Sequence, residues 1–394
     1  MFLLMPPIII YAERVLTPFE DIADAVLVVQ GSKISAVGRR GEIELPRRAR
    51  EISAKGKTIV PGFVDVHIHG AGGRDVMEAT PEALEVVAAT VARYGTTSLV
   101  ATTVTSSAPE ICRSVSGIAR FILQTGQLPA RELGAEILGI HLEGPFISRV
   151  RRGVHPAKWI AAPSAEIFSE FLSEARGTAQ IITLAPELPG AIDLIRAARA
   201  AGLVVSLGHT DATYEQAQIA ISAGARHAAH VFNAMRPFSH RETGVIGAVL
   251  TSAQVSAELI ADGVHVDAAA IRMLLDLKTP ERIILVSDAT SATGMPDGKY
   301  QLGTFQVTVS GGVCRNAEGK LAGSTLTLDR ALRNIVALGV PLAAALPMVT
   351  SNPARQIGLA TRKGILAPGA DADVVALDAS LEVAGVMTRG VGQI

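Results

Sequence analysis

Five short polar clusters in this chain have residue types and spacings that suit metal-assisted hydrolysis. They are Asp65-Val-His67-Ile-His69, His141-Leu-Glu143-Gly144-Pro145, Gly208-His209-Thr210, His230-Val-Phe-Asn233 and Ser287-Asp288-Ala289. Imidazole and carboxylate together suit a divalent transition metal that activates water. In a strand, side-chain direction alternates with period two, so His67 and His69 share one face and can ligate one ion. An isolated His-x-His is as often a packed or surface pair. The Pro61-Gly62-Phe63-Val64-Asp65 run before it and Gly70 after it sharpen the metal reading. Glu143 follows the run Ile137–Leu142, apolar apart from His141, where an unpaired carboxylate would be costly to bury, and it can bridge two ions. His209 and His230 each close an apolar run and complete the candidate ligands.

Asp288 ends Ile283-Ile-Leu-Val-Ser287. A carboxylate there could cap a loop, or take a proton from the attacking water and deliver it to a departing amine. His265, in Asp262-Gly263-Val264-His265, could polarise a substrate carbonyl. His141 reads as a packing or supporting residue, and His227 and His240 as loop or surface histidines.

These clusters need a scaffold that gathers strand ends. Eight strand candidates end near His69, Val104, Glu143, Ala185, His209, Phe232, Ala261 and Asp288. Segments of helical period lie between most of them, including Pro81–Tyr94, Ala191–Ala201, Tyr214–Ala223 and Ala268–Leu277. Such alternation specifies an α/β fold, a (β/α)8 TIM barrel with its chemistry at the C-terminal strand ends. A Gly-rich insertion, Lys299 to Gly323, should form a hairpin or loop near the mouth. Helices over Leu328–Ala337 and Leu342–Val349 should close the barrel.

Short strand-like runs precede the barrel at Ile8–Tyr11, Ala25–Val29, Lys33–Val37 and Lys57–Val60. Others follow it at Asp373–Leu377 and Leu381–Met387. The expectation is a small β-sandwich domain built by both termini, residues 1–60 and 356–394, flanking a catalytic barrel over 61–355.

With 48% hydrophobic and 19% charged residues among 394, the chain is core-rich rather than disordered. A formal net charge of −1 gives no bulk attraction for nucleic acid or an anionic membrane, so any anionic substrate must be held locally. The apolar start, Met1 to Ile10, has no basic region and carries Pro6 and Pro7, which reads poorly as a signal peptide. Cys112 and Cys314 lack metal-ligand spacing, and two cysteines fit a reducing cytoplasm better than a disulfide framework.

The motifs PGFVDVHIHG (61–70), HLEGPF (141–146), GVHPAKW (153–159), SLGHTDA (206–212), HVFNAMRPF (230–238) with RETG (241–244), ADGVHV (261–266), LVSDAT (285–290), AGST (322–325) and KGILAPGADADVV (363–375) resemble the amidohydrolase superfamily. Within it, they resemble the N-acetylglucosamine-6-phosphate deacetylase family. The resemblance implies hydrolysis of an acetamide on an amino sugar phosphate. It implies that Glu143, His209 and His230 are the principal metal ligands and Asp288 the acid/base. His67 and His69 would hold a second ion with Glu143, zinc being the first choice and iron, manganese or cobalt the others. It further implies that His155 contacts the sugar, His265 the acetyl group, and Asn233, the Ala234 backbone and Arg241 the phosphate. Arg241 would reach the neighbouring site of a homodimer. Relatives that bridge two metals with a carboxylated lysine on strand four are a poor match, because no lysine lies between Lys158 and Lys278.

Overall fold

The computed structural model describes residues 6–126 and 132–394. Met1 to Met5, the start of the apolar segment, lie outside the described residues.

Eight parallel strands form the central sheet: Phe63–Ile68, Thr96–Thr103, Glu136–Glu143, Ala179–Leu184, Val204–Leu207, His227–Ala228, Ser256–Leu259 and Ile283–Leu285. The first and last meet through a parallel bridge between Ile68 and Ala289, with Asp288 N–H donating to His67 O at 2.9 Å and His69 N–H to Ala289 O at 2.8 Å. The sheet thus curls into the anticipated barrel. Its strands read as apolar runs because helices cover the outside and side chains fill the inside. The helices start where short polar side chains cap them. Thr80 caps Pro81–Ala92, Thr213 caps Tyr214–Ala223, and Asp267 caps Ala268–Leu277.

Strand six differs from its expected extent. It stops at Ala228 instead of running to Phe232, and the next residues turn with positive φ at His230 (29°), Phe232 (80°) and Ala234 (49°). His209 (46°) and Asp288 (48°) have the same conformation just beyond their own strands. For residues other than Gly this region is sparsely populated, and surrounding structure must hold it. Apolar patterning could not register these breaks, because the turning residues Val231 and Phe232 are themselves apolar.

A seven-stranded mixed sheet joins both ends of the chain, in the order Val391–Gln393, Val383–Thr388, Val374–Leu377, Arg50–Pro61, Ile8–Leu16, Asp21–Gln30, Lys33–Arg39. Arg50–Pro61 is its hinge, parallel to Ile8–Leu16 and antiparallel to Val374–Leu377. Only Gly62 separates that strand from the barrel. A Cβ at Gly62 would lie 2.1 Å from Thr97 Oγ1, so the chain can pass there only as glycine.

An ion network fastens the tail to the barrel. Lys363 is 1% exposed, and its Nζ lies 2.7 Å from Glu136, 2.9 Å from Asp371 and 2.7 Å from Asp373. Arg362 pairs with Glu136 and Asp371, and Lys33 reaches Asp371 at 2.7 Å. A buried ammonium persists only when paired on every side, as here.

Gly298–Leu302, Phe305–Ser310 and Val313–Arg315 form the antiparallel hairpin layer expected of the Gly-rich insertion. Gly303 N–H donates to Asp75 at 2.7 Å, which fixes the tip beside the barrel mouth. Among the described residues, no helix is long and apolar enough to cross a membrane.

Candidate metal centre

The C-terminal ends of strands one, three, five, six and eight deliver their polar residues to one point. Glu143 sits at the centre, 2% exposed, with five imidazole nitrogens around its carboxylate. His209 Nε2 and His230 Nε2 each lie 3.1 Å from Glu143 Oε1, and 3.2 Å from each other. His67 Nε2 is 3.3 Å from Oε1, while His69 and His155 Nε2 are both 3.4 Å from Oε2. Asp288 Oδ1 lies 3.1 Å from His69 Nε2 and 3.8 Å from His67 Nε2.

This donor set fits a divalent cation on three counts. A tetrahedral ion with bonds of about 2.0–2.1 Å has ligand atoms about 3.3 Å apart. Glu143 Oε1, His209 Nε2 and His230 Nε2 form a triangle with sides of 3.1, 3.1 and 3.2 Å. Second, ring protonation is set from behind. His67 Nδ1 donates to Glu258 at 2.8 Å, His69 Nδ1 to Thr102 O at 3.0 Å, and His209 Nδ1 to Arg151 O at 3.1 Å. Carboxylate and carbonyl oxygens only accept, so each neutral ring keeps its Nε2 lone pair facing the centre. Third, His67 Nε2 is fully buried yet makes no hydrogen bond.

His155 is built the opposite way. Thr105 N–H donates to its Nδ1 at 3.2 Å, so the ring proton resides on Nε2. His155 therefore offers a donor to the cavity where His67, His69 and His209 can offer lone pairs. The carboxylates also draw protons onto three of the cluster's rings, protons that a bound cation would displace. Burial opposes charge on His67, His69 and His230, but Glu258, Asp288 and Glu143 respectively raise them. Burial and the nearby His155 push His209 down to about 4. Burial opposes ionisation of Glu143, but His67 and His209 hold it well below the usual carboxylate range. Burial likewise opposes ionisation of Asp288, yet its hydrogen bond to His69 lowers it, so it is a carboxylate at neutral pH.

Beside the cluster lies a cavity of about 190 Å³ lined by Glu143, His155, Asn233, Ala234, His265 and Asp288, with Leu302 and Leu321 on its apolar side. A cleft of about 400 Å³ at the opposite end of the barrel, between Arg226 and Arg282, contains none of these groups. His265 Nδ1 is engaged by Asp262 at 2.6 Å, leaving Nε2 for the cavity. Arg241 is not brought to this cavity. It lies exposed in the loop after strand six, as does His240.

His141 supports the cluster from below, with Nε2 2.7 Å from Thr183 Oγ1, and burial pushes it down to about 3. His227 is not a loop or surface histidine. It is fully buried on strand six, with Nε2 2.7 Å from Glu258. Glu258 itself escaped notice in the sequence. It is a charged residue inside the apolar run Val255-Ser-Ala-Glu258-Leu-Ile-Ala261, the same signal that marked Glu143.

The sequence profile of the Amidohydrolase family matches residues 58–391. The N-acetylglucosamine-6-phosphate deacetylase of Bacillus subtilis (strain 168) is 36% identical over 384 residues, covering 95% of this chain and 94% of the relative. The N-acetylgalactosamine-6-phosphate deacetylase of Escherichia coli O157:H7 is 37% identical, covering 97% of this chain and 98% of that one. Among solved structures, a Mycobacterium smegmatis N-acetyl-D-glucosamine-6-phosphate deacetylase mutant, in complex with N-acetyl-D-glucosamine-6-phosphate, superposes with a TM-score of 0.91 at 38% identity, over 98% of this chain and 99% of that one.

Proposed function

The chain belongs to the amidohydrolase family, and from that premise we propose that it hydrolyses the acetamide of N-acetylglucosamine 6-phosphate to glucosamine 6-phosphate and acetate. The observation that carries the reading is the Glu143-centred cluster, with the Asp288 carboxylate 3.1 Å from His69 at the edge of a substrate-sized cavity.

In this reading Glu143, His209 and His230 hold the principal ion, and His67 and His69, with Glu143 shared, provide a second position. Zinc is the first choice, and iron, manganese or cobalt also suit these ligands. A bound divalent cation supplies acidified water and polarises the acetyl carbonyl. Asp288 takes the proton of the attacking water and returns it to the departing amine. His265, oriented by Asp262, faces the carbonyl oxygen and stabilises the charge that develops there. His155 donates its Nε2 proton to the sugar. Asn233 and the backbone at Ala234 receive the phosphate, together with Arg241 from the second subunit of a homodimer. Arg241 is exposed and does not line its own chain's cavity, which supports action across an interface. Two free cysteines, Cys112 half-buried and Cys314 buried, support a cytoplasmic setting, which cell fractionation checks.

The test is acetate release from three substrates by chelator-treated and zinc-restored protein. N-acetylglucosamine 6-phosphate should be turned over best, only after restoration, and unphosphorylated N-acetylglucosamine poorly. Arg241→Ala should weaken use of the phosphorylated sugar while barely changing use of the unphosphorylated one, because a guanidinium fork suits phosphate. No acetate from any substrate after zinc binding would overturn the reading. Faster release from N-acetylgalactosamine 6-phosphate would instead favour the galacto epimer, the second reading, which rests on the comparable similarity of the Escherichia coli enzyme.

A further inference from the structure

Glu258 lies on strand seven, fully buried, and does not line the substrate cavity. Its Oε2 accepts from His67 Nδ1 at 2.8 Å and from the His230 backbone N–H at 3.1 Å. Its Oε1 accepts from His227 Nε2 at 2.7 Å. One carboxylate therefore ties together strands one, six and seven, and two of its three donors belong to candidate metal ligands. His230 has φ of 29°, so the bond to its N–H also pins the turn that presents its ring.

We propose that Glu258 is the positioning residue of the metal centre. It locks His67 with the proton on Nδ1 and the lone pair on Nε2, and it holds the His230 turn. This rests on the proposal above that these histidines bind a divalent cation. A carboxylate behind a ligating imidazole fixes the ring and raises its basicity, and loss of such a partner typically costs about 10–100-fold in metal affinity.

His227 makes a clean test possible. Its Nδ1 is buried and has no partner, so its ring can carry the proton on either nitrogen. In Glu258→Gln the amide oxygen can keep both the His67 and His230 bonds. The amide NH2 then meets His227 Nε2, which accepts once the ring proton moves to Nδ1. The variant keeps the shape and removes the charge, and leaves a buried His227 Nδ1–H without an acceptor.

Apoprotein of the wild type, Glu258→Gln, His67→Ala and the double variant would be titrated with Zn²⁺ against a chromophoric chelator, with elemental analysis for stoichiometry. Glu258→Gln should lower the affinity of the His67-dependent position by about 10–100-fold. In the His67→Ala background the same change should add less than about threefold, since the partner it serves is gone. Wild-type affinity in Glu258→Gln, or an equal loss with and without His67, would overturn the proposal. A wild type that binds no divalent cation would instead sink the metal reading beneath it. A second measurement needs no variant and holds even if Glu258→Gln fails to fold. Side-chain ¹⁵N NMR of the zinc-loaded wild type should find the His67 proton on Nδ1, and a proton on Nε2 would refute the assignment.

Discussion

Glu143→Gln should empty the centre and abolish acetate release, with zinc affinity falling by more than about 10²-fold. Loss of an outer partner alone typically costs about 10–100-fold, and this change removes the shared anionic ligand itself. Five ring nitrogens lie within 3.4 Å of the Glu143 carboxylate, so no other residue can take its place. Glutamine fits the same space but brings an NH2 group toward rings that offer it lone pairs rather than an ion. The measurement is metal content by elemental analysis beside circular dichroism, which should stay native. Full metal content in the variant would remove Glu143 from the centre.

Asp288→Asn should lower kcat by about 10²–10⁴-fold while leaving zinc content and substrate binding largely intact, because only proton transfer is lost. The backbone makes Asn the informative replacement. Asp288 has φ of 48°, a conformation that Asn tolerates better than most residues. Alanine would add strain to the loss of the carboxylate. Binding of the intact phosphosugar, read by calorimetry with the inactive variant, separates the two effects. Near-normal turnover would make Asp288 a loop-capping residue.

Seven of the eight strand ends were legible to within three residues, strand six being the exception, because buried parallel strands are apolar and stop at polar clusters. His67, His69, Glu143, His209, His230 and Asp288 each terminate such a run, and the barrel gathers them. The supporting layer was harder to see. Glu258 sits mid-run in an apolar strand, where the cost of an unpaired buried carboxylate should have flagged it. His227 opens a two-residue strand, and its neighbour in space is 31 residues away in sequence. The contrast between His155 and the other rings depends on which nitrogen Thr105 N–H meets, a fact of backbone placement that no local pattern encodes. The burial of Lys363 was not legible either, because its three carboxylates come from both the barrel and the tail.

The terminal sheet sets an order of events during synthesis. Arg50–Pro61 leaves the ribosome before the barrel, but its partner Val374–Leu377 and the edge strands beyond it are made after the barrel. Until then that strand has an unpaired edge, and Glu136 waits for Arg362, 226 residues downstream. Open edges of this kind invite pairing with other chains. The nascent protein is therefore vulnerable until Val374–Leu377 emerges, and that segment works as a clasp. Chains truncated before Val374 should aggregate on release even though every barrel strand is present. Sedimentation of ribosome-released truncations tests this, and soluble, cooperatively melting truncated chains would show that the barrel stands without its clasp.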